Sequence, residues 1–149
     1  LLSSKPIPKS DAIRALLEAD QIVIACGGGG IPVLAQGHRL KGASAVIEKD
    51  SAAAKLADLI DADRLVILTG VEKACLNFGT GQEEPLDEMT TAQARSYIEE
   101  GQFEAGTMLP KIEAAIEFIG NSAVRSALIT RLEPAGEKMK RNTGTVIRK

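Results

Sequence analysis

Four consecutive glycines, residues 27–30, directly follow an apolar stretch at residues 21–26, and Pro32 comes two positions after them. Successive glycines can turn their backbone N–H groups toward one point, which creates a concave site for an anion such as phosphate. They can equally form a plain tight turn. Two familiar phosphate loops are excluded: no Gly-Lys-Ser or Gly-Lys-Thr stands at the P-loop spacing, and Pro32 occupies the last glycine position of a dinucleotide fingerprint that starts at Gly27.

Two lysines stand beside predicted helix starts. Lys49 and Asp50 separate an apolar segment from a helix predicted to begin near Asp50, and Lys111 follows Pro110 at the start of another. A helix N-terminus attracts anions, so an ammonium group there adds to an anion site. Lys49 would then reach a phosphoryl group, while Asp50 would orient a lysine or hold a metal ion through water. The alternatives stay open: Asp50 as a helix cap, and Lys111 as a solvated side chain.

Alternating strands and helices are predicted along the chain, and these elements must position the candidate residues. Continuous apolar runs predict strands buried on both faces at residues 21–26 and 65–69, with further strands at 123–130 and 144–147. Helical periodicity predicts a short helix capped by Ser10, with Ile13, Leu16 and Leu17 on its apolar face, and further helices at residues 50–60, 90–98, 111–118 and 134–140. This alternation is typical of a layered α/β fold with a mostly parallel sheet.

The composition narrows the classes of function. The chain has 149 residues, of which 44% are hydrophobic and 26% charged, as expected for one soluble globular domain. A formal net charge of -2 provides no broad basic surface for nucleic acid, and the apolar runs are too short to span a membrane. Cys26 and Cys75 make neither a disulfide framework nor a zinc spacing, which fits a reducing cytosol.

Five blocks of the chain, taken in order, closely resemble the carboxyl-terminal half of the carbamate kinases, within the amino acid kinase superfamily. The blocks are VIACGGGGIPV, AVIEKDSAAAKLA, ADRLVILTGVEKACLNFG, YIEEGQFEAGTMLPKIEAAIEF and GTVI, and the similarity extends from about Pro6 to Ile147. The resemblance implies a three-layer αβα sandwich with a mostly parallel sheet. It also implies reversible phosphoryl transfer between ATP and carbamate, giving ADP and carbamoyl phosphate, with Mg²⁺, in a cytoplasmic homodimer that serves arginine metabolism.

The resemblance also implies a role for each candidate residue. Lys49 and Lys111 are similar to the family's two lysines on the transferred phosphoryl group, and Asp50 is similar to the aspartate that organises them. No residue is assigned as a metal ligand. The glycines expected near the substrate and the transferred phosphoryl group are Gly27, Gly28, Gly29 and Gly30. The residues expected to line the nucleotide pocket are Thr69, Gly70, Val71, Leu76, Gly106, Met108 and Pro110.

Three positions depart from the family pattern. Glu48 replaces the usual Asp and Thr107 the usual Ser, which are mild changes, whereas Gly70 stands where the family commonly has Asp. The resemblance therefore implies altered nucleotide affinity or selectivity at Gly70, because a carboxylate is lost from the pocket.

The resemblance covers one half of an enzyme. Residues 1–149 correspond to the carboxyl-terminal, nucleotide-binding part of the amino acid kinase domain, without the amino-terminal half that holds much of the substrate site. We therefore expect the isolated chain to bind ADP weakly at best and to be inactive. Two alternatives are a non-catalytic nucleotide-binding or regulatory module, and a related amino acid kinase with another acceptor.

Overall fold

The fold was analysed in a computed structural model, which describes residues 10–37, 39–132 and 143–149. Four helices and eight strands are present in these residues. In chain order they are α1 (Ser10–Glu18), β1 (Val33–Gln36), β2 (Arg39–Gly42), α2 (Lys49–Leu59), β3 (Arg64–Thr69), β4 (Cys75–Leu76), β5 (Glu84–Pro85), β6 (Glu88–Thr90), α3 (Thr91–Glu99), α4 (Leu109–Ile119), β7 (Ser126–Arg131) and β8 (Thr145–Arg148).

A four-stranded sheet with the order β3-β7-β8-β6 forms the centre of the described structure. β3 pairs with β7 and β6 pairs with β8 in parallel, whereas β7 and β8 are antiparallel. Two antiparallel pairs, β1 with β2 and β4 with β5, lie outside this sheet. The predicted α/β class with a mostly parallel sheet is confirmed.

One face of the sheet carries the core. Alternate residues of β3 and β7, such as Leu65 opposite Ala127, point to the same face, and α2 and α4 pack there. Small side chains let these two helices approach closely, because Ala54 of α2 and Ala115 of α4 are fully buried. The largest fully buried side chains are Phe118, Met89, Ile112, Ile119, Ile129, Ile147 and Thr145.

Local signals set the helix ends much as predicted. The helices predicted at residues 50–60, 90–98 and 111–118 are confirmed as α2, α3 and α4. Thr90 caps α3 in a capping box with Gln93, and Pro110 stands in the first turn of α4. The strands predicted at residues 65–69 and 144–147 are confirmed, and the strand predicted at residues 123–130 is present from Ser126. The helix predicted at residues 134–140 lies outside the described residues.

The prediction of a strand at residues 21–26 was wrong. Residues 21–26 form no strand, and Ile22 and Ile24 are each 97% exposed. An apolar run becomes a buried strand only when neighbouring strands pair with it, and no strand of the described residues does so. The helix α1 forms as predicted, but none of its residues is buried, and Leu16 and Leu17 stay exposed.

Two further expectations from the composition can be compared with the structure. Cys26 and Cys75 are both free thiols. In the described part of the chain, every helix is too short or too polar to cross a bilayer.

Thr145 joins the central sheet to the β4–β5 pair. Its hydroxyl accepts a hydrogen bond from the backbone N–H of Ala74 at 2.8 Å and donates one to the carbonyl oxygen of Leu86 at 2.6 Å. The side chain is fully buried, so water cannot replace either bond. Thr145 therefore satisfies two backbone groups that lie far from it in sequence.

Replacing this hydroxyl tests its contribution to stability. We expect Thr145→Val to lower the free energy of unfolding by about 1–3 kcal/mol, because a buried donor and a buried acceptor lose their partner. The measurement is urea denaturation followed by circular dichroism. Thr130→Val is the matched control, since Thr130 also lies in a strand but its side chain makes no hydrogen bond with the other described residues. Equal losses of free energy of unfolding from the two substitutions would show that the buried hydrogen bonds of Thr145 do not stabilise the fold.

Candidate active site

A buried ion pair joins the N-termini of the two core helices. Lys111, in the first turn of α4, donates a hydrogen bond from Nζ to Oδ2 of Asp50, in the first turn of α2, at 2.8 Å. Each side chain is only 11% exposed. The alternative in which Lys111 is a solvated side chain is therefore wrong. The packing of α2 against α4 holds together two charges that lie 61 positions apart in the sequence.

The second predicted lysine approaches the same carboxylate. Nζ of Lys49 is 3.9 Å from Oδ2 of Asp50 and 3.0 Å from Oε1 of Glu48. The hydrogen bond to Glu48 and then the charge of Asp50 raise the pKa of Lys49 above its usual value, because both carboxylates favour the charged ammonium group. Its side chain is 58% exposed, unlike that of Lys111. Asp50 thus brings together one buried and one accessible cation.

Glu48 caps helix α2, a role that the sequence analysis missed. Its Oε2 accepts a hydrogen bond from the backbone N–H of Asp50, and this bond is the main cause of a lowered pKa of the Glu48 carboxyl. The alternative in which Asp50 is the cap is wrong, because Asp50 lies inside the first turn and its side chain contacts the lysines. A carboxylate one residue before the helix was the available sequence signal.

The glycine loop packs against the chain that enters α2. Gly30 forms an antiparallel bridge with Ile47, and Gly29 has φ +151°. A Cβ added at Gly29 would lie 2.4 Å from the carbonyl oxygen of Ile47 and 3.7 Å from the backbone nitrogen of Lys49. No side chain fits there, so glycine is required for this close approach. The loop contains a turn, closed by a hydrogen bond from Gly29 N–H to the Cys26 carbonyl, and it also lies beside Lys49.

Two of the predicted nucleotide residues line an open cleft. Thr69 and Gly70, at the carboxyl end of β3, border a cleft of about 480 Å³ together with Leu68, Arg131 and Leu132. The sequence analysis missed Arg131 and Leu132, although they directly follow a predicted strand. A Cβ added at Gly70 would meet no atom within 4 Å, so the missing carboxylate is not explained by lack of space.

The remaining predicted nucleotide residues lie on two connections. Gly106 and Met108 precede α4 and Pro110 stands in its first turn, so all three lead to Lys111. Val71 follows the cleft residue Gly70 in the chain, and the half-buried Leu76 belongs to β4. None of these five residues lines the cleft beside Thr69.

The cleft and the lysines lie toward the same end of the sheet. Helix α2 precedes β3 and α4 precedes β7, each through a short turn. Each helix therefore runs back across its strand, so helix N-termini and strand carboxyl ends face the same way. This is the end at which α/β proteins bind phosphate-bearing ligands. In the described residues, no group of three or more His, Cys, Asp or Glu side chains is placed to hold a metal ion.

The amino-acid sequence that carries these residues matches a known family. The amino acid kinase family's sequence profile matches residues 4–130. The chain belongs to the amino acid kinase family. The carbamate kinase-like protein YqeA of Escherichia coli is 52% identical over 97% of this chain and 47% of its own length. Carbamate kinase 1 of Enterococcus faecium is 50% identical over 90% of this chain and 43% of its own length.

A solved structure of a carbamate kinase is also similar to this chain. The carbamate kinase of Giardia lamblia bound to AMP-PNP superposes with a TM-score of 0.90 at 35% identity, over 97% of this chain and 50% of that protein. This chain therefore spans about half the length of the relatives that it matches. The predicted membership in the amino acid kinase superfamily is confirmed.

The Asp50–Lys111 pair can be tested by a double-mutant cycle. We expect Asp50→Asn and Lys111→Met each to lower the free energy of unfolding by roughly 3–5 kcal/mol, because each leaves a buried charge without its hydrogen-bonded partner. The double variant should lose less free energy of unfolding than the two single variants together, by at least about 1 kcal/mol. The measurement is urea denaturation.

A second cycle provides the control. Glu88→Gln and Arg148→Met remove an ion pair whose side chains are 57% and 59% exposed, so its coupling should stay below about 1 kcal/mol. If the double variant lost as much free energy of unfolding as the Asp50 and Lys111 variants together, this result would contradict the buried pair.

Proposed function

We propose that this chain is the nucleotide-binding half of a carbamate kinase, which transfers a phosphoryl group reversibly between ATP and carbamate. The observation that carries the proposal is the convergence of Lys49 and Lys111 on Asp50, with the glycine loop against the backbone of Lys49. Carbamate is proposed as the phosphoryl acceptor because the relatives are named carbamate kinase.

The chemistry of phosphoryl transfer suits these residues. The transferred group needs in-line positioning and fixed positive charge on its equatorial oxygens rather than covalent help from the protein. Lys49, with its accessible ammonium group, would contact the transferred phosphoryl group directly. Lys111 would face the same group from α4, held in place by Asp50. The backbone N–H groups of residues 27–30 would complete the anion site.

Magnesium is included in the proposal as the ion that accompanies the nucleotide. Mg²⁺ commonly keeps several waters and binds through substrate phosphates with only one or two carboxylates. A dedicated cluster of protein ligands is therefore not required. Thr69, Gly70 and Arg131 would contact the nucleotide in the open cleft, since they border it at the carboxyl end of the sheet.

We also propose that residues 1–149 alone do not catalyse the phosphoryl transfer. The relatives named carbamate kinase are about twice as long, so their activity is that of a larger protein. A homodimer, a cytoplasmic location and a part in arginine metabolism belong to the proposal for the whole enzyme, and they rest on the family resemblance.

A comparison of two nucleotides tests the role of Lys49. We expect the chain to bind AMP-PNP with Mg²⁺ more tightly than ADP with Mg²⁺, because only AMP-PNP carries a third phosphoryl group. Lys49→Ala should weaken AMP-PNP binding roughly ten-fold, about 1.4 kcal/mol, and leave ADP binding nearly unchanged. Isothermal titration calorimetry measures both affinities.

The control is Lys149→Ala. This lysine donates to the carbonyl oxygen of Asn121, at the opposite end of β7 from the cleft, so its loss should change neither affinity. An equal loss of ADP and AMP-PNP affinity in Lys49→Ala would refute contact with the third phosphoryl group. Absence of binding of both nucleotides to the unmodified chain at millimolar concentration would count against the proposed site.

A further inference from the structure

Arg131 places a positive charge at the open cleft, apart from the lysines that contact Asp50. It is the last residue of β7, and its side chain is exposed. In the described part of the chain, the guanidinium groups that form ion pairs are those of Arg14, Arg125 and Arg148. The charge of Arg131 is therefore not paired with any described carboxylate. The other residues that line the cleft are Leu68, Thr69, Gly70 and Leu132.

Strand pairing fixes the position of Arg131. Its Cα lies opposite that of Thr69 in the parallel register of β3 and β7. The next N–H, that of Leu132, donates a hydrogen bond to the carbonyl oxygen of Thr69 at 3.3 Å. A residue on a strand is positioned more precisely than a residue on a loop. The central sheet therefore holds the backbone of Arg131 in place at the cleft.

Alternation along β7 shows on which face of the sheet Arg131 lies. Successive side chains of a strand point to opposite faces, and Ala127 and Ile129 are fully buried in the core against α4. Arg131 is two positions after Ile129, so it lies on this same face. It also lies at the end of the sheet toward which the N-termini of α2 and α4 point. A ligand that extends from the cleft to these helix N-termini would therefore contact both Arg131 and the lysines.

The chemistry of the cleft indicates what Arg131 binds. A guanidinium group is always charged, and its donors form a fixed fork that matches two oxygens of a phosphate. The aliphatic side chains of Leu68 and Leu132 line the same cleft, and a Cβ added at Gly70 would meet no atom within 4 Å. The cleft therefore has room for a ligand with one anionic and one apolar part. A nucleotide has both.

We propose that Arg131 binds the phosphates that remain on ADP, whereas Lys49 and Lys111 bind the phosphoryl group that is transferred. This assignment rests on the proposed function and adds to it the part of the nucleotide that Arg131 recognises. The lysines are paired with Glu48 and Asp50, so Arg131 supplies a separate positive charge for a separate phosphate. Because ADP and ATP share these phosphates, Arg131 stabilises both bound nucleotides equally.

Nucleotide titration of an Arg131 variant tests this assignment. Arg131→Met removes the charge and keeps an unbranched side chain. We expect it to weaken the binding of ADP and of AMP-PNP, each with Mg²⁺, by the same factor of roughly ten, because both complexes lose a charge-assisted hydrogen bond to a phosphate. Isothermal titration calorimetry measures the affinities. Lys49→Ala provides the contrast, since its loss is expected for AMP-PNP only.

The salt dependence of ADP binding distinguishes a contact with phosphate from a contact with the base. Added salt screens the attraction between a guanidinium group and a phosphate, whereas it has little effect on packing against the base. We expect the ADP affinity of Arg131→Met to fall less steeply than that of the unmodified chain when NaCl rises from about 0.05 to about 0.5 M.

The matched control is Arg64→Met. Arg64 is the first residue of β3, so it lies at the opposite end of the same strand pair, and it is also exposed. Its replacement should change neither nucleotide affinity. The side chains of Arg64 and Arg131 are both exposed, so the circular dichroism spectra of the two variants should match that of the unmodified chain.

Several outcomes would overturn the assignment of Arg131. Unchanged affinities in Arg131→Met, or equal losses in Arg131→Met and Arg64→Met, would show that Arg131 does not bind the nucleotide. A loss confined to AMP-PNP would place Arg131 on the transferred group. A loss of affinity with unchanged salt dependence would place it on the base.

The same titrations distinguish this assignment from the proposed function. If Lys49→Ala loses AMP-PNP affinity but Arg131→Met binds both nucleotides normally, the assignment is wrong and the proposed function stands. If Arg131→Met shows the expected losses but Lys49→Ala does not, the assignment is supported and the role of Lys49 is wrong. If the unmodified chain binds neither nucleotide, both are overturned.

Discussion

The buried ion pair between Asp50 and Lys111 is the interaction on which the candidate site depends. Two charges removed from water are costly, and they remain only when each is paired at close range. Here the pairing is possible because the fully buried Ala54 and Ala115 let α2 and α4 pack closely. The helix interface and the ion pair therefore require each other, and together they fix where two helix N-termini point.

The charges around this pair are balanced before any ligand arrives. Glu48 and Asp50 provide two carboxylates, and Lys49 and Lys111 provide two ammonium groups. Although Lys49 pairs with Glu48, its side chain is 58% exposed to solvent. A phosphoryl group that enters would add negative charge beside two helix N-termini and the glycine loop, where backbone N–H groups can compensate it.

The two faces of the central sheet differ in how far their side chains are buried. The face toward α2 and α4 is a closed core, with Ile67 and Ile129 buried. The other face leaves Val66 and Leu68 partly exposed, and residues 21–26 pair with no strand of the described residues although their sequence is that of a buried strand.

The sequence by itself determined the local elements and the residue types of the site. Apolar periodicity and capping residues such as Thr90 act over a few positions, so α2, α3, α4, β3 and β8 could be read from them. The resemblance in ordered blocks supplied the candidate roles of Lys49, Asp50 and Lys111. Only the tertiary structure decided that Asp50 pairs with a buried Lys111, 61 positions away. It also decided that residues 21–26 form no strand with the other described residues. Strand pairing and burial depend on contacts between segments far apart in the chain, and local sequence does not encode these contacts.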